Sequence, residues 1–182
     1  AVESGDAQWH AVGVFNWGRN RRYNELVPAT HTTVTVHGPD LGLDPEADYI
    51  AWGFWSESFY GTFPGGGALD IPLDPVQTDV LAVHRLENHP QFLSTNRHVT
   101  QGGTDIESAA WDPASLTLEI NQKFDSGFPY VLTVHVPPGF RLEQATAGET
   151  TLEPERQGRV LRLRHESLFS NTVTWSLIFS RK

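Results

Sequence analysis

The stretch DYIAWGFWSESFYGTF, residues 48–63, contains seven of the chain's twenty aromatic side chains within sixteen positions. Read as a strand from Tyr49 to Trp55, it alternates between two faces. Tyr49 and Trp55 lie on one face with only small residues between them, whereas Trp52 and Phe54 lie on the other. Because both faces carry large apolar side chains, the pattern predicts a strand that is buried on both sides.

Three interpretations of this aromatic strand remain open. In the first, one face of the strand packs in its own sandwich and the other face packs against a neighbouring domain. In the second, both faces belong to a single core. In the third, the rings form an exposed sugar-binding platform. Rings on both faces favour the first, with Phe54 and Trp55 on opposite faces and both mostly buried. The candidate residues for contact with an interface or a sugar are Trp52, Trp55 and Tyr60, together with Glu57.

The rest of the chain follows the same period of two, which predicts an all-β fold. Turn sequences such as PGGG at 64–67 and WDPAS at 111–115 separate the apolar stretches, and twelve prolines interrupt any long helix. The predicted strands are His10–Trp17, Thr32–His37, Tyr49–Trp55, Ala68–Leu73, Asp79–Leu86, Asp105–Trp111, Leu116–Asn121, Tyr130–Val136, Arg141–Thr146, Val160–Arg164 and Thr172–Phe179.

A polar segment, ENHPQFLSTNRHVTQGG at 87–103, divides the strands into two groups. We interpret it as a linker between two antiparallel β-sandwich units, 1–87 and 88–182. The alternative is one continuous sandwich. A chain of 182 residues is long enough to bury either core without a disulfide or a metal ion.

Composition limits the classes of partner. The net charge of −9 argues against nucleic acid, because phosphate binding depends on clustered lysine and arginine. No apolar run reaches the roughly 18 residues of a membrane helix, so we expect no membrane partner. The chain has no cysteine, which leaves localisation open, and no methionine, which suggests a piece of a longer polypeptide.

Several short motifs between residues 10 and 86 occur in the order and spacing of a known domain. They resemble the C-terminal β-sandwich of α-galactosidase-like (melibiase-type) glycoside hydrolases. Many members of that family have an aspartate before the Phe-Trp pair, where this chain has Gly53. The matching residues are Phe15, Asn16 and Trp17; Leu41, Gly42 and Leu43; Tyr49; Phe54 and Trp55; Gly61; and Val80, Leu81 and Val83.

The resemblance implies a role without catalysis. In that family two catalytic aspartates lie in a (β/α)₈ barrel of about 250 residues, for which this chain is too short and too poor in helical periodicity. No acidic residue is therefore carried over as catalytic. The segment HPQFLSTNRHVTQGG, which opens the second group, resembles an extra β-domain that follows this tail in some bacterial relatives.

The residues themselves carry no strong catalytic or metal signature. Glu57 is the most suggestive acid for a self-sufficient glycosidase, but a turn carboxylate is the simpler interpretation. His31 and His37 are about 20 Å apart if they flank one strand, and His84, His89 and His98 show no metal-binding spacing. We therefore expect no metal and no cofactor.

Together these observations predict a non-catalytic accessory segment of an α-galactosidase-like glycoside hydrolase. Its expected partner is the catalytic barrel of the parent chain. The alternative is a carbohydrate-binding module whose exposed rings stack on an oligosaccharide. A self-sufficient enzyme is a third hypothesis, favoured only if two carboxyl groups line a deep pocket.

Overall fold

A computed structural model describes residues 1–4, 7–17, 21–22, 25–26, 30–166 and 171–182. Over these residues the chain is all-β and its sheets are antiparallel, which confirms the predicted fold class. A short 3₁₀ turn at Pro39–Leu41 is the helical structure that this described part contains. It also contains no helix long and apolar enough to cross a membrane.

The chain forms two compact units. The first unit is His10–Leu86, and the second unit combines Ala1–Trp9 with Glu87–Lys182. The expected division was 1–87 and 88–182, so the difference lies in Glu87 and, above all, in the first nine residues. Their placement follows from Trp9, whose indole N–H donates to the carbonyl oxygen of Thr100 at 2.9 Å.

In the first unit, one sheet has the order β2-β9-β6-β7, β5 pairs with β8, and β3 with β4. The core contains apolar side chains from β2, β6, β7 and β9 as well as from β5 and β8. The strands are β1 (Val2–Ser4), which pairs with the beginning of β2 (Ala7–Phe15), then β3 (Arg21–Arg22), β4 (Glu25–Leu26), β5 (Thr32–His37), β6 (Asp48–Gly53), β7 (Ser58–Pro64), β8 (Ala68–Leu73) and β9 (Thr78–Arg85).

The second unit is a sandwich of two sheets, with the orders β10-β13-β17-β16 and β11-β12-β18-β14-β15. Phe124 of one sheet stacks on Tyr130 of the other with ring centroids 3.7 Å apart. The strands are β10 (Gln91–Thr95), β11 (Ile106–Asp112), β12 (Thr117–Phe124), β13 (Tyr130–His135), β14 (Phe140–Ala147), β15 (Thr150–Thr151), β16 (Glu155–Gln157), β17 (Val160–His165) and β18 (Asn171–Arg181).

The segment 87–103 is not a linker throughout, because it contains the buried strand β10. Its polar residues suggested a connection, yet several of them form hydrogen bonds inside the second unit. Ser94 donates to the side-chain oxygen of Gln101 at 2.9 Å, and both side chains are buried. Phe92 of the same strand makes an edge contact with Trp9. Composition alone does not separate such a strand from a linker, since hydrogen bonding removes the cost of burying polar groups.

The predicted strand Tyr49–Trp55 is wrong at its end, because β6 stops at Gly53 and residues 54–57 form a turn. Glu57 adopts a positive φ of 47° in this turn. Glycine or asparagine usually takes such a position, so the sequence SES gave no turn signal. For the same reason β7, which pairs with β6 after the turn, was not predicted.

Candidate functional site

Asp79 organises the turn after β6. Its side chain, at the beginning of β9, is 0 % exposed. Oδ1 accepts hydrogen bonds from the backbone N–H groups of Trp55 at 2.9 Å and Val80 at 2.8 Å. Oδ2 accepts from the Ser56 hydroxyl at 2.6 Å and the Tyr60 hydroxyl at 2.9 Å. One buried carboxylate therefore fixes both the backbone of the turn and two side chains beside it.

Gly53 lies directly against this carboxylate. A Cβ at this position would overlap Asp79 Oδ2 and Ser56 Oγ, and it would come within 2.7 Å of the Tyr60 ring. This is the position at which the resembled family often has aspartate. In this chain, glycine at position 53 leaves the space that the Asp79 carboxylate of β9 occupies.

The four candidate residues differ in their exposure to solvent. Trp52 is only 3 % exposed and lies in β6, where its rings cannot meet a ligand without unfolding. Trp55 is 59 % exposed and Glu57 is also exposed, whereas Tyr60 is half-buried. The expectation that Trp55 lies on a strand face opposite Phe54 is therefore wrong, and the sandwich of this chain does not bury Trp55. Both residues lie in the turn, and their rings meet edge to face at 4.7 Å.

Burial raises the pKa of Tyr60 above its usual value, and the neighbouring Asp79 carboxylate adds to that effect. The phenol therefore stays protonated at neutral pH and remains a donor. Its hydroxyl also lies 3.2 Å from Ser56 Oγ. This arrangement holds the phenol in a defined position at the edge of the first unit.

A groove of about 670 Å³ lies beside the turn, within the first unit. The Asp74 carboxylate is 2.8 Å from His31 Nδ1, and the Asp74 backbone N–H donates to Gln77 Oε1 at 2.7 Å. The lining is rich in hydroxyl groups and consists of His31, Thr32, Thr33, Ser56, Ser58, Tyr60, Pro72, Leu73, Asp74 and Gln77. Such a surface presents donors and acceptors for hydroxyl-bearing ligands.

Two further aromatic residues lie at the same end of the sheet, and sequence reasoning did not identify them as site residues. Phe15 and Trp17 are exposed, and their rings stack at 5.3 Å with an interplanar angle of 4°. Asn16 between them donates its backbone N–H to the carbonyl oxygen of Gln77 at 2.8 Å. This contact places the Phe15–Trp17 motif next to the segment 74–77, whose residues Asp74 and Gln77 line the groove. Only the pairing of β2 with β9 reveals this neighbourhood.

The acidic and histidine residues form no metal centre in the described ranges, since no three metal-ligating side chains converge there. In the second unit, burial raises the pKa of Asp105. Asp105 Oδ2 accepts from Gln122 Nε2 at 2.6 Å, and Gln122 accepts from the Trp175 indole at 2.8 Å. Asp105 and its two partners are buried, so this chain of hydrogen bonds belongs to the core rather than to a substrate pocket.

The chain matches no protein-family model, and no curated protein matches it significantly in sequence.

Proposed function

We propose that this chain is a non-catalytic accessory segment of an α-galactosidase-like glycoside hydrolase, which packs against the catalytic barrel of its parent protein. The proposal begins from the motifs that resemble the family's C-terminal sandwich. It is supported by where those motifs lie. Phe15, Trp17 and Trp55 belong to them, yet none of the three is part of the core of the first unit.

The observation that carries the proposal is the cluster of exposed rings at one end of the β2-β9-β6-β7 sheet. Trp17 is 77 % exposed, and Val76, in the turn before β9, is exposed as well. Exposed apolar patches of this kind mark interaction surfaces, because covering them removes apolar area from water. Asp79 holds Trp55 in place, so this surface needs little ordering when a partner covers it.

The partner test compares solvent protection in two forms of the protein. Hydroxyl-radical footprinting of this chain alone and of the polypeptide encoded by its full reading frame gives a protection ratio for each ring. We expect Trp17 and Trp55 to become protected in the longer protein. Phe128, which is as exposed as Trp55 but lies in the second unit, is the control. Unchanged reactivity of Trp17 and Trp55, or a reading frame without a barrel, would contradict the proposal.

The enzymatic test uses this chain alone. We expect no hydrolysis of nitrophenyl α-galactoside, because glycosidases need two carboxyl groups about 5 to 9.5 Å apart across a sugar-sized cleft. Glu57 lies on an exposed turn and Asp79 is buried with all its described hydrogen bonds made inside the protein. A measurable rate that Glu57→Gln abolishes would instead support the self-sufficient enzyme.

The alternative function is that of a carbohydrate-binding module. It is favoured by the groove that Ser56, the residue after Trp55, and Tyr60 line, because the hydroxyl, amide and carboxylate groups of this groove are suited to sugar hydroxyls. A titration of neutral oligosaccharides against the wild type and Trp55→Ala separates the two functions. Saturable binding that Trp55→Ala abolishes, without a change in melting temperature, would favour the module.

A further inference from the structure

A second groove, of about 680 Å³, lies in the second unit at one end of its sandwich. Trp111 is the second-last residue of β11 and pairs with Leu118, a buried residue of β12. Phe140 begins β14 and pairs with Arg181, the last residue of β18. The groove therefore lies at the end of the sandwich, where Trp111 and Phe140 are close to the ends of their strands.

Aromatic side chains form the floor of this groove. The imidazole of His89 stacks on Trp111 at 5.2 Å with an interplanar angle of 3°, and Phe140 meets Trp111 edge to face at 5.6 Å. Phe179, in the core below, contacts the same indole at 6.0 Å. These contacts position the half-buried indole; His89 covers one of its faces, and the remaining exposed part offers a ligand an apolar surface.

Two cationic side chains lie beside this floor. The Arg181 guanidinium lies 5.8 Å from the centre of the Phe140 ring, and Lys182 also lines the groove. In the described part of the chain neither forms an ion pair with a carboxylate. By contrast Arg141, on the same sheet, pairs with Glu143 at 2.8 Å. The groove thus concentrates positive charge in a chain whose net charge is −9.

The acidic neighbours of the groove already have partners. Glu87 Oε2 lies 3.9 Å from His89 Nε2. Asp112 accepts from the Ser115 hydroxyl at 2.6 Å and from the backbone N–H of Ala114 at 2.9 Å. Both carboxylates therefore have local contacts, and neither pairs with Arg181 or Lys182 in the described ranges.

The chemistry of the lining selects the ligand. A wholly apolar ligand would strip water from Arg181, Lys182 and the Asn88 amide without replacing their hydrogen bonds. A free inorganic anion would not use the rings. The groove suits a ring that has an apolar C–H face for Trp111 and Phe140, hydroxyl groups for Asn88, and a carboxylate for the cations.

We propose that this groove binds the uronate residues of an acidic oligosaccharide. Arg181 and Lys182 pair with the carboxylate, and the sugar ring rests on the Trp111–Phe140 floor. This site is in the second unit and does not depend on the function proposed for the first. Its binding and the docking of the first unit are tested by separate measurements.

The experiment is a nuclear magnetic resonance titration of the whole chain with trigalacturonate. The indole N–H signal of Trp111, assigned by its loss in Trp111→Phe, reports on the groove. We expect a saturable shift of this signal. The fully methyl-esterified trisaccharide, which keeps the rings but hides the carboxylates, should bind at least about tenfold more weakly, as expected for losing a charge-assisted contact.

Matched arginine variants test the charge contact. Arg181→Gln should weaken trigalacturonate binding about tenfold, whereas Arg141→Gln, outside the groove, should leave it within about twofold. Lys182→Gln serves as a second groove variant if Arg181→Gln lowers the melting temperature. The proposal is overturned if no saturable shift occurs, if the ester binds equally well, or if Arg141→Gln weakens binding as much as the groove variants do. Benzoate that binds as tightly as trigalacturonate would overturn the assignment to a sugar.

Discussion

The backbone N–H of Trp55 donates a 2.9 Å hydrogen bond to the buried carboxylate of Asp79, twenty-four residues further along the chain. This single contact explains why an exposed tryptophan has a defined position. The hydrogen bond fixes the backbone at Trp55, and the ring itself rests edge to face on Phe54. The turn can therefore present Trp55 to a partner without adding the ring to the core.

Asp79→Ala should destabilise the protein strongly. The substitution leaves two backbone N–H groups and two hydroxyls without their buried acceptor, and the cost of such losses is about 2 to 4 kcal/mol in the free energy of unfolding. Asp79→Asn keeps one acceptor oxygen and should cost less. Urea denaturation measures both. Asp70→Ala, which removes an exposed acceptor of the Thr35 hydroxyl, is the control, and an equal loss there would contradict the interpretation.

Trp52→Ala and Trp55→Ala should have very different effects, although the two residues are only three positions apart. Removing the buried Trp52 side chain should cost about 3 to 5 kcal/mol, because it leaves a cavity. Removing the exposed Trp55 side chain should cost about 1 kcal/mol or less, mainly through its edge contact with Phe54. Thermal unfolding followed by circular dichroism measures both. Similar losses for the two variants would show that the ring of Trp55 is covered within this chain.

Gly53→Asp, which introduces the aspartate of the resembled family, should destabilise the protein, because the new Cβ overlaps the Asp79 carboxylate. The double variant Gly53→Asp/Asp79→Gly moves the carboxylate from β9 to β6. We expect the double variant to be more stable than the sum of the two single losses predicts, by about 0.5 to 3 kcal/mol for directly contacting residues. A double-mutant cycle in urea measures this coupling. Simple additivity would show that the two positions do not share one carboxylate site.

His135 should make the protein sensitive to acid. Burial, together with the positive charge of Arg159, lowers the pKa of His135 from 6.5 to about 4 in the folded chain. Between these two values the unfolded chain binds a proton that the folded chain does not. Stability is therefore present above pH 6.5 and falls as the pH drops toward 4, by up to about 3 kcal/mol.

The variant His135→Gln tests this dependence, because glutamine does not titrate. Free energies of unfolding measured between pH 7 and pH 4 should fall less steeply in this variant than in the wild type. His37→Gln, which replaces an exposed histidine of β5, is the control and should keep the wild-type slope. Equal slopes for wild type and His135→Gln would refute the assignment.

The amino-acid sequence by itself determined the class of fold and most of its strands. In β8 the apolar residues Leu69, Ile71 and Leu73 alternate with exposed ones, and the structure buries all three. Such a strand is predictable because side-chain direction has a period of two and one face is buried. In β12 and β18, buried and more exposed residues alternate in the same way, so these strands are predictable for the same reason.

Only the tertiary structure decided which aromatic residues are buried and which groups meet. Trp52 and Trp55 are three positions apart, yet Trp52 lies in β6 and is buried, whereas Trp55 lies in the turn that follows and is exposed. Trp111 and Arg181 are seventy positions apart and line one groove because the ends of their strands share one end of the sandwich. The sequence pattern records the side of a strand on which a residue lies. The partner across the sheet is set by strand pairing over long separations, which local periodicity does not contain.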